Sequence, residues 1–310
     1  MTFSPTELTQ SLGRGLLSFP LTFFDEHGGF NEDGYRAHVA SQGTAGASGL
    51  FAAGGTGEFF SLTLEEYKRV VRAASDEVPD TMPLLAGVGY GTHMAVEFAK
   101  AAEANGADGL LVLPPYLVKS EQDGLRRHLT AICRSVGIGV IAYNRDNAIL
   151  TPETLERVAQ DCPNLIGFKD GVGDVGTAQL IVRAVADEGR TDVAFFNGLL
   201  TAELTQAAYR GIGIPLYSSA AFAMAPEIAN AYYRAYVDGD ERRRLQLLDG
   251  FYAPLVRLRD ETPGFGVSLI KAGLRLGGLP VGSVRPPLVD PTPAQEARLA
   301  QILEDGRALL

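Results

Sequence analysis

Lys169 stands at the end of an apolar run. In NLIGFKDGVGD, residues 164–174, Leu165, Ile166, Gly167 and Phe168 precede Lys169 and Asp170. Such a run reads as a strand buried on both faces. A lysine closing it costs free energy unless it is paired or gives up its proton. A free lysine titrates near ~10.4, and desolvation can bring it to ~7–8. The neutral amine then attacks a ketone and forms a Schiff base, an electron sink for bonds next to that carbon. Asp170 is the next residue of the strand and points to the opposite face, so it cannot pair with Lys169 side by side. Tyr143 ends another apolar run, where a phenol can carry protons to and from the ketone oxygen. A core tyrosine with a satisfied hydroxyl fits the same position. GGTGE, residues 54–58, offers backbone N–H groups and the Thr56 hydroxyl in a tight turn, which suits a carboxylate. Taken alone it is equally an ordinary glycine-rich turn. Arg145 and Asn147 in YNRDN, Asn197, Ser218 and Ser219 are the other polar groups that follow apolar runs.

These residues are useful to one another only if the chain brings them together. Eight short apolar runs are predicted as strands: Leu16–Pro20, Gly49–Ala53, Leu84–Val88, Gly109–Leu113, Gly139–Ala142, Leu165–Phe168, Val193–Phe196 and Ile214–Tyr217. Helical stretches alternate with them. Thr63 and Glu66 form a capping box; Thr151 caps a helix with Pro152 in its first position; a third helix starts at Thr92 and stops near Gly106. Strand then helix, eight times, predicts a (β/α)8 TIM barrel of α/β class. No GxGxxG follows the first strand, which disfavours an open doubly wound sheet. In a barrel the groups that follow the strands converge on one mouth. Past Tyr217 only helices are predicted: Pro226–Val237, Glu241–Leu258, Gly266–Leu276 and Pro293–Leu309. The expected division is a barrel over residues 1–222 and a C-terminal helical extension over 223–310, packed on the barrel because no linker precedes it.

The chain has 310 residues, 46% hydrophobic and 21% charged, with a formal net charge of −10. No basic stripe interrupts the acidity, so nucleic acid is not an expected partner. No apolar run approaches ~18 residues, so no membrane partner is expected either. The opening MTFSPTELTQSLGRG lacks the basic-then-apolar order of a secretory signal, and a cytoplasmic location is expected. Cys133 and Cys162 lie far apart in apolar segments and read as reduced core thiols rather than a metal or disulfide pattern. His27, His38, His93 and His128 are scattered singly, and no metal site is expected.

GGTGEFFSLTLEE, YN at the end of the fifth strand and GFKD at the end of the sixth resemble the N-acetylneuraminate lyase/dihydrodipicolinate synthase family, over nearly the whole chain from about Gly15. GLLSFPLTFFD, YNRDNA and LYSSA resemble a branch that removes water and carbon dioxide from a keto sugar diacid. The resemblance implies a barrel with C-terminal helices, a homotetramer built as a dimer of dimers, and neither metal nor organic cofactor. It implies Lys169 as the Schiff-base lysine, Tyr143 as the proton relay, and Gly55 and Thr56 as the holders of the substrate's keto-acid carboxylate. The synthase branch has two threonines in place of Gly55-Thr56. It has a tyrosine pair where this chain has Tyr116-Leu117, and an arginine where this chain has Ala148. For the far carboxylate Arg145 or Asn147 is expected, and Ser218 and Ser219 for substrate hydroxyls. Two other functions fit the same residues. One is a class I aldolase releasing pyruvate from a 2-keto-3-deoxy sugar acid or sialic acid. The other is a non-catalytic barrel that binds keto acids.

Overall fold

All eight apolar runs form strands. In a computed structural model describing residues 3–310, they are β1 (Leu17–Ser18), β2 (Gly49–Ala52), β3 (Leu84–Val88), β4 (Gly109–Val112), β5 (Gly139–Asn144), β6 (Leu165–Asp170), β7 (Ala194–Asn197) and β8 (Leu216–Ser219). Every strand pairs in parallel with the next, and β8 pairs with β1, which closes the barrel. The run at Leu16–Pro20 yields only two strand residues, since Pro20 has no N–H for a ladder. β5 and β6 instead run on past their apolar stretches and take Tyr143 and Lys169 into the sheet.

Helix α1 (Pro5–Leu12) precedes the barrel, and its Leu8 and Leu12 pack in the lumen with Leu17, Phe51, Leu85, Leu111 and Ile141. Helices α2 (Glu32–Thr44), α3 (Leu64–Glu77), α4 (Thr92–Ala104), α5 (Gln122–Ser135), α6 (Pro152–Asp161), α7 (Val175–Asp187) and α8 (Gln206–Gly211) follow β1 to β7. The capping box forms as its residues predict: Thr63 Oγ1 accepts from Glu66 N at 3.2 Å, and Glu66 accepts from Thr63 N at 3.0 Å. A second and larger apolar cluster fills the space between strands and helices and continues into the C-terminal helices, joining Leu50 and Ala142 to Ile228 and Leu299.

After β8 come α9 (Pro226–Asp238), α10 (Glu241–Leu247), α11 (Ala253–Arg259), α12 (Phe265–Leu276) and α13 (Pro293–Ala308). The single helix predicted over Glu241–Leu258 is interrupted by a π-helical turn, Leu248–Tyr252. Pro254 explains the break: it has no N–H to give to Gly250, and the wider turn relieves its ring. Among the described residues no helix is long and apolar enough to cross a membrane.

One irregularity decides what faces the lumen. Val140 pairs with Leu165, but Ile141 pairs with Gly167, so β6 carries one extra residue. Leu165 and Phe168 face the helical shell and Ile166 the lumen. Strict alternation from Ile166 would send Lys169 outward. The bulge reverses the phase and turns Lys169 inward, opposite Tyr143. Gly167 lies where a Cβ would stand 3.0 Å from Ile141 Cγ1 and 3.1 Å from Phe196 Cε2.

Candidate active site

At the C-terminal end of the lumen Lys169 sits in a box of rings. Its amine lies 4.6 Å from the Phe19 ring, 5.1 Å from Phe51 and 5.2 Å from Tyr143. Phe19 and Phe51 are themselves stacked, 5.2 Å apart. The amine donates to Ser218 Oγ at 2.8 Å, and the residue is only 4% exposed. Burial among rings, helped by the positive charge of Arg145, lowers the amine to about 7. Asp170 gives no compensating charge. On the opposite face of β6 it accepts from Asn144 Nδ2 at 2.7 Å and from the Tyr209 hydroxyl at 2.6 Å.

Tyr143 is fixed at both sides of its hydroxyl. It donates to the Gly198 carbonyl at 2.7 Å and accepts from Arg145 Nη1 at 3.0 Å. Burial raises the pKa of the phenol, and Arg145 opposes that rise. Arg145 reaches back because residues 145–148 form a tight turn: Ala148 N donates to Arg145 O at 2.9 Å, with Asp146 at φ 51°. Arg145 thus reaches the Tyr143 hydroxyl from only two residues further along the chain. Asp146 partly balances it at 3.2 Å.

The GGTGE turn follows β2. Gly55 is exposed, with open space where a Cβ would stand, and Thr56 is half-buried. Thr56 lines a cavity over the end of β8 with Ala220, Ala221, Thr201, Glu203 and Arg259. Glu58 turns the other way, to Lys271, at 2.6 Å.

Lys169, Tyr143, Arg145 and Ser218 are therefore joined by direct contacts, and Gly55 and Thr56 stand at the same mouth. Asn197 and Ser219 do not meet the expectation of groups open to substrate. Both face the shell, in the phase opposite to Phe196 and Ser218. Asn197 is fully buried and donates to Ala202 O at 3.1 Å and Thr205 Oγ1 at 2.9 Å. Ser219 donates to the buried Glu203 at 2.5 Å. Asn147 binds the carbonyls of Pro115 at 2.7 Å and Val118 at 2.8 Å, so it staples the β4–α5 loop. In that loop Tyr116 and Leu117 project to solvent, 68% and 78% exposed.

Sequence reasoning misses four residues of the site. Phe19 and Phe51 form the ring box, and their apolar runs hide them among core residues. Gly198 and Gly171 make room: a Cβ at Gly198 would lie 2.6 Å from Lys169 Cγ and 2.8 Å from Tyr143 Cε2, and one at Gly171 would lie 2.8 Å from the same Tyr143 carbon. Glycine directly after a buried strand is the available signal.

A desolvated amine, a phenol across the sheet and a glycine-rich turn at the mouth of a (β/α)8 barrel define the class of protein. The profile of the Dihydrodipicolinate synthetase family matches residues 13–305, and the chain belongs to that family. Within it, the chain is 50% identical over 310 residues to a protein of Streptomyces avermitilis named probable 5-dehydro-4-deoxyglucarate dehydratase 1, covering 100% of this chain and 99% of that one. A protein of Rhizobium rhizogenes with the same descriptive name is 50% identical, over 98% of this chain and 99% of its own. Among solved structures, dihydrodipicolinate synthase from Oceanobacillus iheyensis superposes with a TM-score of 0.88 at 23% identity, over 98% of this chain and 100% of that one. The fold is the same at that distance.

Proposed function

We propose that this chain is a Schiff-base-forming lyase that dehydrates and decarboxylates 5-dehydro-4-deoxy-D-glucarate to 2,5-dioxopentanoate, a step of sugar-diacid breakdown. The observation that carries the reading is the register of β5 against β6, which sets the Tyr143 phenol across from a Lys169 amine held near neutrality. The names of the relatives at 50% identity support the substrate.

Lys169 Nζ attacks the keto carbon, C5. Tyr143 protonates the carbonyl oxygen, and loss of water leaves an iminium. The iminium acidifies C4, and loss of a C4 proton gives an enamine. The enamine expels the C3 hydroxyl as water, which leaves an iminium conjugated through C3 and C4. The C1–C2 bond then breaks, its electrons pass to the nitrogen, and carbon dioxide leaves. Protonation and tautomerisation turn the C2 enol into an aldehyde, and water frees Lys169. Across the sequence one proton is taken up, and one water and one carbon dioxide are released. Gly55 and Thr56 hold the carboxylate on C5 by charge-assisted hydrogen bonds. Arg145 meets the far carboxylate, and Ser218, already on the Lys169 amine, faces the reacting carbon.

We further propose that the chain works in the cytoplasm as a homotetramer. Tyr116, Leu117 and Val118 stand exposed beside the mouth and Leu180 on α7, as apolar side chains that a neighbouring copy would cover.

Product analysis tests the reading. Incubation with 5-dehydro-4-deoxy-D-glucarate gives carbon dioxide and 2,5-dioxopentanoate in equal amounts. Release of pyruvate instead would identify an aldolase. Neither product, and no borohydride-trapped adduct on Lys169, would leave a keto-acid-binding barrel.

A further inference from the structure

The turn after β2 is built under strain. Ala53 at φ 46° and Glu58 at φ 55° bracket Gly54–Gly57, and both lie in the left-handed region that side chains other than glycine avoid. Such positions persist only where the surroundings over-determine them. Inside the turn, Glu58 N donates to Gly55 O at 3.2 Å and Phe59 N to Gly54 O at 3.1 Å. From the barrel side the Thr22 hydroxyl donates to Gly57 O at 2.6 Å. Gly87 on β3 leaves space for the Ala53 carbonyl, which would stand 2.3 Å from any Cβ there.

The other side of the turn is held by the C-terminal extension. Lys271 of α12, 213 residues further on, donates to Glu58 Oε1 at 2.6 Å, and both side chains are fully buried. Glu58 Oε2 accepts from the backbone N–H of Arg285 at 2.9 Å, and Lys271 also donates to the Ser283 carbonyl at 3.0 Å. The Phe24 ring lies under both cations, 4.0 Å from the Lys271 amine and 4.0 Å from the Arg285 guanidinium. Arg285 continues the clamp to the Ser61 carbonyl at 2.8 Å and to Glu66 of α3.

Stability alone does not explain this arrangement. Two buried ions give up their hydration, and an apolar pair of similar volume is often as stable or more so. What the ion pair adds is direction: it fixes where Glu58 is pulled, and so where Gly55 and Thr56 present their donors. We propose that Glu58 and Lys271 are positioning residues, through which the C-terminal extension sets the geometry of the turn that receives the substrate's keto-acid carboxylate. This rests on the reading of Gly55 and Thr56 as that receiving turn.

Pyruvate is the probe, since it carries the keto acid and nothing else. Borohydride trapping of the full-length protein is followed against pyruvate concentration for wild type, Lys271→Met and the double variant E58Q/K271M. The pyruvate concentration for half-maximal trapping rises about 10- to 100-fold in the variants. The trapping rate at saturation and its pH midpoint, which report Lys169, stay at the wild-type values. Arg307→Met, which removes an ion pair to Glu227 elsewhere in the extension, leaves the half-maximal concentration unchanged. Unaltered half-maximal concentrations in the folded Glu58 and Lys271 variants would overturn the proposal. Failure of wild type to be trapped at all would instead overturn the Schiff-base reading beneath it. If neither variant folds, hydrogen exchange of wild type decides. Opening of the hydrogen-bonded Glu58 and Phe59 amides together with α12 supports the proposal, and their opening at far lower denaturant refutes it.

Discussion

A lysine that must be an amine at neutral pH needs an environment that withholds water without supplying a carboxylate. Phe19, Phe51 and Tyr143 supply it. Their ring faces attract a cation, an effect of ~0.5–2 kcal/mol. Moving the amine from 10.5 to about 7 corresponds to roughly 5 kcal/mol in the opposite sense. Desolvation therefore wins, and Arg145 adds to it. The pKa is depressed below its unfolded value, so the reactive neutral form grows as pH rises through about 7. Borohydride trapping measured across pH should climb through that midpoint and then level. Arg145→Met removes the neighbouring positive charge and moves the midpoint upward; an unmoved midpoint would take Arg145 out of the account. Tyr143→Phe keeps the ring of the box but loses the hydroxyl proposed to carry protons. Turnover should fall about 10²–10⁴-fold with the fold intact, as measured by steady-state rates beside a thermal melt. Near-normal turnover would end the relay role. Ser218 completes this scale, as a hydroxyl in direct contact with the amine.

Between residues and fold stand the elements that aim them. β6 does so by its bulge, β7 by the glycine that follows it. Gly198 allows the Lys169 stem, the Tyr143 ring and the Asp170 carbonyl to meet where a side chain would begin, the last at 2.9 Å. The carbonyl is backbone and cannot yield, so Gly198→Ala must push on the two site residues. Overpacking of this kind costs ~1–3 kcal/mol. The expected result is a lowered melting temperature and a much larger loss of turnover, with an intact circular dichroism spectrum. Unchanged activity would show that the Lys169–Tyr143 geometry is less constrained than the distances imply. Asn197, Ser219 and Asn147 belong to this scale rather than the last. Their polar groups hold the β7, β8 and β4 loops in place, so substitution there should act through loop position and not through contact with substrate.

Across the whole molecule, the extension and the barrel share one apolar cluster, and the Glu58–Lys271 pair ties the extension to the mouth. Sedimentation should give the mass of four chains, and charge placed at Leu117 or Leu180 should lower it; a monomer in wild type would refute the assembly proposed here. Much of this is legible along the chain. The eight runs, their order, the capping box at Thr63 and the odd lysine after Phe168 are local patterns, because burial on both faces and helix caps are satisfied by near neighbours. Chemical type also marks Lys169, Tyr143, Gly55 and Thr56. What a sequence cannot give is facing. Side-chain direction in a strand follows a period of two residues, so a single extra residue at Ile166–Gly167 inverts everything after it. Whether that residue is inserted depends on how Ile141 and Phe196 fill the lumen, and both come from other strands. The same holds for Asn197 and Ser219, whose types suit a binding site and whose phase points them at the shell. It holds for Glu58, which shares a turn with Thr56 yet faces a lysine 213 residues away. Alternation, composition and caps were determined by the sequence itself. The inward turn of Lys169, its ring box and the clamp on the turn after β2 were decided only by packing between distant segments, since desolvation and register are properties of what surrounds a residue and not of the residue.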